Sequence, residues 1–195
     1  MTVIDLLPHR LDMLLARLRG AYDGIGHSSG RPFVYFVHEP DQHRAVCRLA
    51  LDTLRTDDAL TFHHVDLLPL TIASLHGEEE RRRELLIDPQ APGAAGDILR
   101  VWAADLCDDL EARLATGGTG RPVVVLRGLA ALHPLSNPTA LMESIAEQEP
   151  RDPRSGRIVP IVLLVPGFRP PQTSRQYRFL GPDSPILEFY RGEEI

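Results

Sequence analysis

Between Pro8 and Arg19 apolar side chains recur at Leu11, Leu14, Leu15 and Leu18, while Arg10, Arg17 and Arg19 stay polar. That period predicts an amphipathic helix ending near Gly20. The Gly- and Ser-rich stretch "GIGHSSGRP" reads as a loop. "PFVYFVHEP" (Pro32 to Pro40) is short, apolar and rich in β-branched and aromatic residues, the pattern of a buried strand. A helix follows to about Arg55, with Val46, Leu49, Ala50 and Leu54 inside. Pro40 stands near its start, where a missing N–H costs little.

"LTFHHVDL" (Leu60 to Leu67) predicts a second strand and "LPLTIASLHG" a short helix. Glu78 to Leu86 is charge-dense and helical in pattern, with Glu78/Arg82 and Glu79/Arg83 spaced for i,i+4 pairs. From Gly96 to Ala115, Ile98, Leu99, Trp102, Leu106, Leu110 and Leu114 form one wide stripe, the strongest helix signal in the chain. "RPVVVLRGL" is the clearest buried strand. Next comes a turn and a helix with Asn137 as N-cap and Pro138 as first helical residue. "IVPIVLLVPG" is another strand, with Pro160 near its start, and Pro185 to Gly192 the last.

Apolar strands alternating with helices predict an α/β fold. It is a single domain over residues 1–195, a mostly parallel sheet of about five strands with helices on both faces, resembling a degenerate P-loop or Rossmann-like core. The two most apolar strands, around Val124 and Leu163, should be central.

Composition narrows the chemistry. A formal charge of −6 lacks the electrostatic footprint of a nucleic-acid binder, so direct nucleic-acid binding by the chain alone is not expected. All 21 basic residues are Arg, which rules out Schiff-base chemistry and a P-loop lysine. Cys47 and Cys107 each fall in a helix and read as buried thiols rather than a disulfide or metal site. The N-terminus lacks the apolar core of a signal peptide. No apolar run approaches the roughly 18–20 residues of a membrane span. A cytoplasmic protein without membrane contact is expected.

Sites in open α/β sheets form beyond the carboxyl ends of strands. After the first strand a nucleotide binder needs a glycine-rich loop, whose backbone N–H groups reach phosphates. This chain has "VHEPDQHR" instead. After the third strand an ATPase wants an acid for magnesium; here stand Arg127 and Gly128. His38, Glu39 and His43 could ligate a metal but lack a third partner in sequence. His63 and His64, adjacent on a strand, point to opposite faces. Ser28, Ser29 and Ser174 lack the tight GxSxG elbow of a serine nucleophile. No catalytic residue, cofactor or metal is expected.

The remaining candidate is "GFRPPQTSRQYRFL". Its arginines and aromatics could bind phosphate and stack bases, could pack on the sheet, or could form a protein contact. Because Pro166 lacks an N–H and Gly167 permits a sharp turn, the strand is expected to end there. Arg169, Arg175 and Tyr177 would then lie on a partner-binding face.

This C-terminal stretch, "GRIVPIVLLVPGFRPPQTSRQYRFL" followed by a final strand, resembles the end of the BrxB family, small proteins of bacterial BREX anti-phage systems. The matching positions are Val162 to Gly167 and Tyr177 to Leu180, and "RPVVVLRGLAALHPL" resembles the family's middle strand and loop. The "RPPQTSRQ" insert and the acidic tail "RGEEI" depart from the pattern. The resemblance implies a non-catalytic adaptor or structural component of a multi-protein defence complex. Its expected partner is the PglZ-type phosphatase-fold protein, alongside other BREX components. The alternative is a degenerate P-loop-like domain that binds or senses nucleotide without hydrolysis.

Overall fold

The computed structural model describes residues 3–25, 32–146, 148, 150–171 and 175–195. Ser28, Ser29, Ser174 and most of the predicted "GIGHSSGRP" loop lie outside them. Helices are α1 (Val3–Gly20), α2 (His43–Thr53), α3 (Leu67–Leu75), α4 (Glu79–Ile87), α5 (Ala94–Ala115) and α6 (Pro138–Ile145). Strands are β1 (Phe33–His38), β2 (Leu60–Asp66), β3 (Arg121–Arg127), β4 (Ile161–Phe168), β5 (Gln176–Phe179), β6 (Ile186–Glu188) and β7 (Gly192–Glu194).

Five strands form a parallel sheet in the order β2-β3-β4-β1-β7. β3 and β4 are interior, with Val124 and Leu163 fully buried. Side chains alternate across the pleat. Val34, Phe36, Val123, Val125, Val162 and Leu164 pack against α1 and α2. Phe33, Tyr35, Val124, Leu126, Ile161 and Leu163 pack on the other face against α5 and α6. Both faces are therefore covered, which is why these strands read as continuous apolar runs. Asn137 caps α6 by accepting from the Ala140 N–H at 3.0 Å, with Pro138 at the first helical position.

The C-terminal quarter departs from expectation. β4 does not stop at Pro166–Gly167 but continues to Phe168. Pro166 stands opposite His38, the last residue of β1, where the parallel ladder ends. Gly167 serves a close backbone approach rather than a turn: a Cβ there would sit 2.4 Å from the Arg178 carbonyl oxygen on β5. β5 and β6 form an antiparallel hairpin on the end of β4. The predicted last strand shrinks to β6. The fifth parallel strand is instead the acidic tail, β7, which pairs with β1. Arg17 holds Glu193 of this strand at 3.2 Å, and Arg10 reaches the Ile195 backbone oxygen at 2.7 Å.

The charge-dense helix also pairs differently. Glu78 and Glu80 bind Arg81 and Arg83 at i,i+3. Arg82 turns inward to the Ser74 carbonyl at 2.6 Å, which ties α4 to the end of α3.

Candidate functional site

β1 and β4 are neighbours, yet the chain leaves them in opposite directions: through α2 to β2, and through the hairpin to β7. Such a divergence opens a crevice at the carboxyl ends, the usual ligand position in open α/β sheets. Here the crevice holds about 340 Å³, lined by Arg10, His38, Glu39, Gln42, Gly167 and Arg169. Arg10 forms part of its wall, donating to the Val37 and Ile195 backbone oxygens and lying 4.3 Å from the Phe36 ring centroid.

On the α2 side the crevice is closed by three linked side chains. His38 Nδ1 lies 3.0 Å from the Glu39 carbonyl oxygen and must donate to it. His38 Nε2 is then an acceptor, 3.3 Å from His43 Nδ1. His43 Nε2 in turn is left to accept from the Cys47 thiol at 3.5 Å. With His38 kept neutral by burial, one proton arrangement satisfies all three groups and leaves each of them neutral. The imidazoles stack with centroids 5.2 Å apart. Burial pushes His38 down to about 4, lowers His43 and raises the Cys47 thiol.

A Cys–His pair becomes nucleophilic as thiolate and imidazolium. Desolvation opposes both charges here, so the relay is a hydrogen-bonded plug. Cys107, in α5, is pushed up to about 11 by burial and by Glu111 and Asp108. Both thiols of the native protein are therefore expected to react with iodoacetamide at pH 7.5 more slowly than free cysteine. Mass spectrometry of timed samples measures this, and labelling of Cys47 faster than free cysteine would overturn the neutral relay.

Beside the plug, Asp66 and Arg127 end the paired strands β2 and β3 and face each other at 3.6 Å. Asp66 also caps α3, accepting from the Leu68 N–H at 3.1 Å. Gly128 turns at φ 69°, and a Cβ there would lie 2.2 Å from Asp66 Oδ1. A cavity of about 700 Å³ opens here, lined also by Arg44, Arg48 and Leu51 of α2 and by Leu68, Ala130 and Ala131. Among the described residues, no three His, Cys, Asp or Glu side chains come together to hold a metal ion. His63 and His64 point to opposite faces: His63 lies near Arg113 of α5, while His64 bonds the Leu54 carbonyl at 2.9 Å. Among the described residues no helix is long and apolar enough to cross a membrane.

No family model, curated protein or solved structure matches the chain. What the molecule can do therefore follows from its own surfaces, beginning with the three residues expected on a partner face. Arg169 is exposed and forms an ion pair with Glu194; Arg175 is exposed and reaches the Gly192 carbonyl at 3.2 Å. The structure thus brings both arginines to β7. Tyr177 is not on their surface. It is fully buried between Tyr35 and Phe189, with its hydroxyl 2.9 Å from Thr139 Oγ1. The expectation failed because the segment after Gly167 folds back as β5 instead of leaving the sheet, and alternation turns Tyr177 and Phe179 inward.

The exposed apolar surface lies elsewhere. In α3 only Leu67 and Thr71 are buried, while Leu68 and Ile72 are 52% and 60% exposed. No residue of α4 is buried, and Ile87 at its end is 74% exposed. The signal was readable: "LLPLTIASL" is apolar at almost every position, more than one buried face of a nine-residue helix can absorb.

Proposed function

We propose that the chain is a non-catalytic adaptor or structural component of a BREX phage-defence complex, working in the cytoplasm and binding the PglZ-type phosphatase-fold protein. The family assignment rests on the resemblance at Val162 to Gly167 and Tyr177 to Leu180. The adaptor role is carried by one structural observation: α3 presents Leu68, Ile72 and Leu75 outward at i, i+4 and i+7. Contiguous apolar surface of this kind marks a contact with another macromolecule. The neutral relay and the self-bound Arg10 agree with this reading, because the polar groups at the sheet's crevice are engaged with the chain's own atoms.

Co-expression with the PglZ-type protein of the same system, followed by size-exclusion chromatography, tests the proposal. Co-elution of the two proteins is expected. Separate elution at micromolar concentrations, with both proteins folded, would sink it. A second reading, a degenerate nucleotide-binding domain, draws support from the parallel sheet with a switch point between β1 and β4 and from the arginines lining the neighbouring cavity. Calorimetry with Mg-ATP separates the two: micromolar affinity favours the nucleotide reading, and no heat of binding favours the adaptor.

A further inference from the structure

The apolar face of α3 runs into a groove at one end and an arginine cluster at the other. The groove, between α3 and α4, encloses about 500 Å³ and is floored by Ile98 and Trp102 of α5. The arginine-lined cavity adjoins it: Ala131 lines both, and α3 gives Leu68 to the cavity and Ile72 and Leu75 to the groove.

The charge along this path is one-sided. The cavity carries Arg44, Arg48 and Arg127 against Asp66; in the groove Arg83 is paired with Glu80, which leaves Arg82 against Glu79. Among the described residues Arg44, Arg48 and Arg82 have no ion pair. On a protein of net charge −6, the exposed Arg44 and Arg48 make this a local excess of positive charge. An occupant must bring apolar side chains for the groove and carboxylates for the arginines.

We infer that the α3–α4 groove and the arginines beside it form one docking surface for an acidic amphipathic helix of a partner protein. This rests on the adaptor reading and gives the partner its chemistry. A groove between two helices accepts a third helix through anchors at i, i+3 or i+4, and i+7. A second copy of the chain meeting this surface symmetrically would set arginine against arginine. A nucleic-acid backbone would leave the apolar groove uncovered.

The test is photo-crosslinking in host cells carrying the intact system, from Ile72→p-benzoylphenylalanine in the full chain. The expected product is a crosslink to one partner segment with apolar residues at helical spacing and at least two carboxylates at one end. Arg44→Glu with Arg48→Glu should reduce that crosslink at least tenfold, and Arg44→Lys with Arg48→Lys should keep most of it. Thermal melts of the charge variants should match the parent, since both sites are exposed. A crosslink only to a second copy, only to nucleic acid or to no protein would overturn the surface assignment. So would a crosslink indifferent to charge reversal. Co-elution with the PglZ-type protein without a crosslink at position 72 removes the groove but leaves the adaptor. A charge-dependent crosslink to an acidic helix of some other protein removes the PglZ assignment but leaves the groove.

Discussion

Tyr177→Ala lowers the unfolding free energy by about 3–5 kcal/mol, the range for truncating a fully buried aromatic side chain. Tyr177 is completely shielded from solvent in a cluster with Tyr35 and Phe189, whose ring centroids lie 6.1 Å and 5.5 Å away. Alanine leaves a cavity at the point where β5 meets the sheet and removes the hydroxyl bonded to Thr139, while Thr139 of α6 stays tied to the Glu188 carbonyl at 2.7 Å, which opposes collapse into the gap. Tyr177→Phe keeps the ring and gives up one hydroxyl bond, a loss of about 1 kcal/mol. Arg169→Ala and Arg175→Ala, on exposed side chains, should each cost under about 1 kcal/mol. Urea denaturation of the four variants measures the series. A Tyr177→Ala protein as stable as the parent would place this ring outside the core and return it to the surface.

The same residue shows what the sequence made legible. The helices and the first four strands were readable from a helical period, an apolar run or, for α4, the spacing of its charges, although α1 begins at Val3, ahead of Pro8. Val124 and Leu163 were readable as central for the same reason. The C-terminal quarter was not. Gly167 carries the same letter whether it turns the chain or admits a neighbouring carbonyl, and the Arg178 oxygen that decides between these comes from the pairing of β4 with the next strand, β5, which carries no sequence signal of its own. β7 is three residues of "GEE", with no apolar alternation to announce a strand. Its place beside β1 is secured by Arg10, Arg17 and Arg169, residues from two distant segments.

The carboxyl-end site was half legible. His38, His43 and Cys47 are visible in the sequence as chemistry-bearing residues, with His38, Glu39 and His43 spaced as possible metal ligands. Which of them meet depended on α2 starting at His43, after a tight turn over Pro40–Gln42, so that His43 and Cys47 stack one turn apart above His38. Their protonation depended on burial, which no spacing reveals. Asp66 and Arg127 are register partners across β2 and β3, a pairing that only the parallel sheet order creates.

Burial of His38 makes the protein acid-sensitive in a window set by that residue. Its pKa falls from the ordinary 6.5 to about 4, chiefly because the imidazolium would be desolvated. The Glu39 carbonyl and Asp41 act against this, while His43 and Arg10 add to it. Between pH 6.5 and about 4 the unfolded chain holds a proton on this imidazole that the folded chain lacks. Stability must then rise with pH across that window, be complete above about 6.5, and be lost as pH falls toward 4. At about 1.4 kcal/mol per pH unit the loss amounts to about 3 kcal/mol. His43, His63 and His64 are lowered in the same direction by burial and steepen the decline. Asp57 and Asp152 lie below the usual carboxylate value, so their contribution is lost only at lower pH. Urea midpoints between pH 4.5 and 7.5 should therefore climb and then level off. His38→Gln, which cannot take up the proton, should flatten the slope by about one proton. A wild-type midpoint that stays level down to pH 4.5, or an unchanged slope in His38→Gln, would mean that His38 is charged in the folded protein and the neutral relay does not exist.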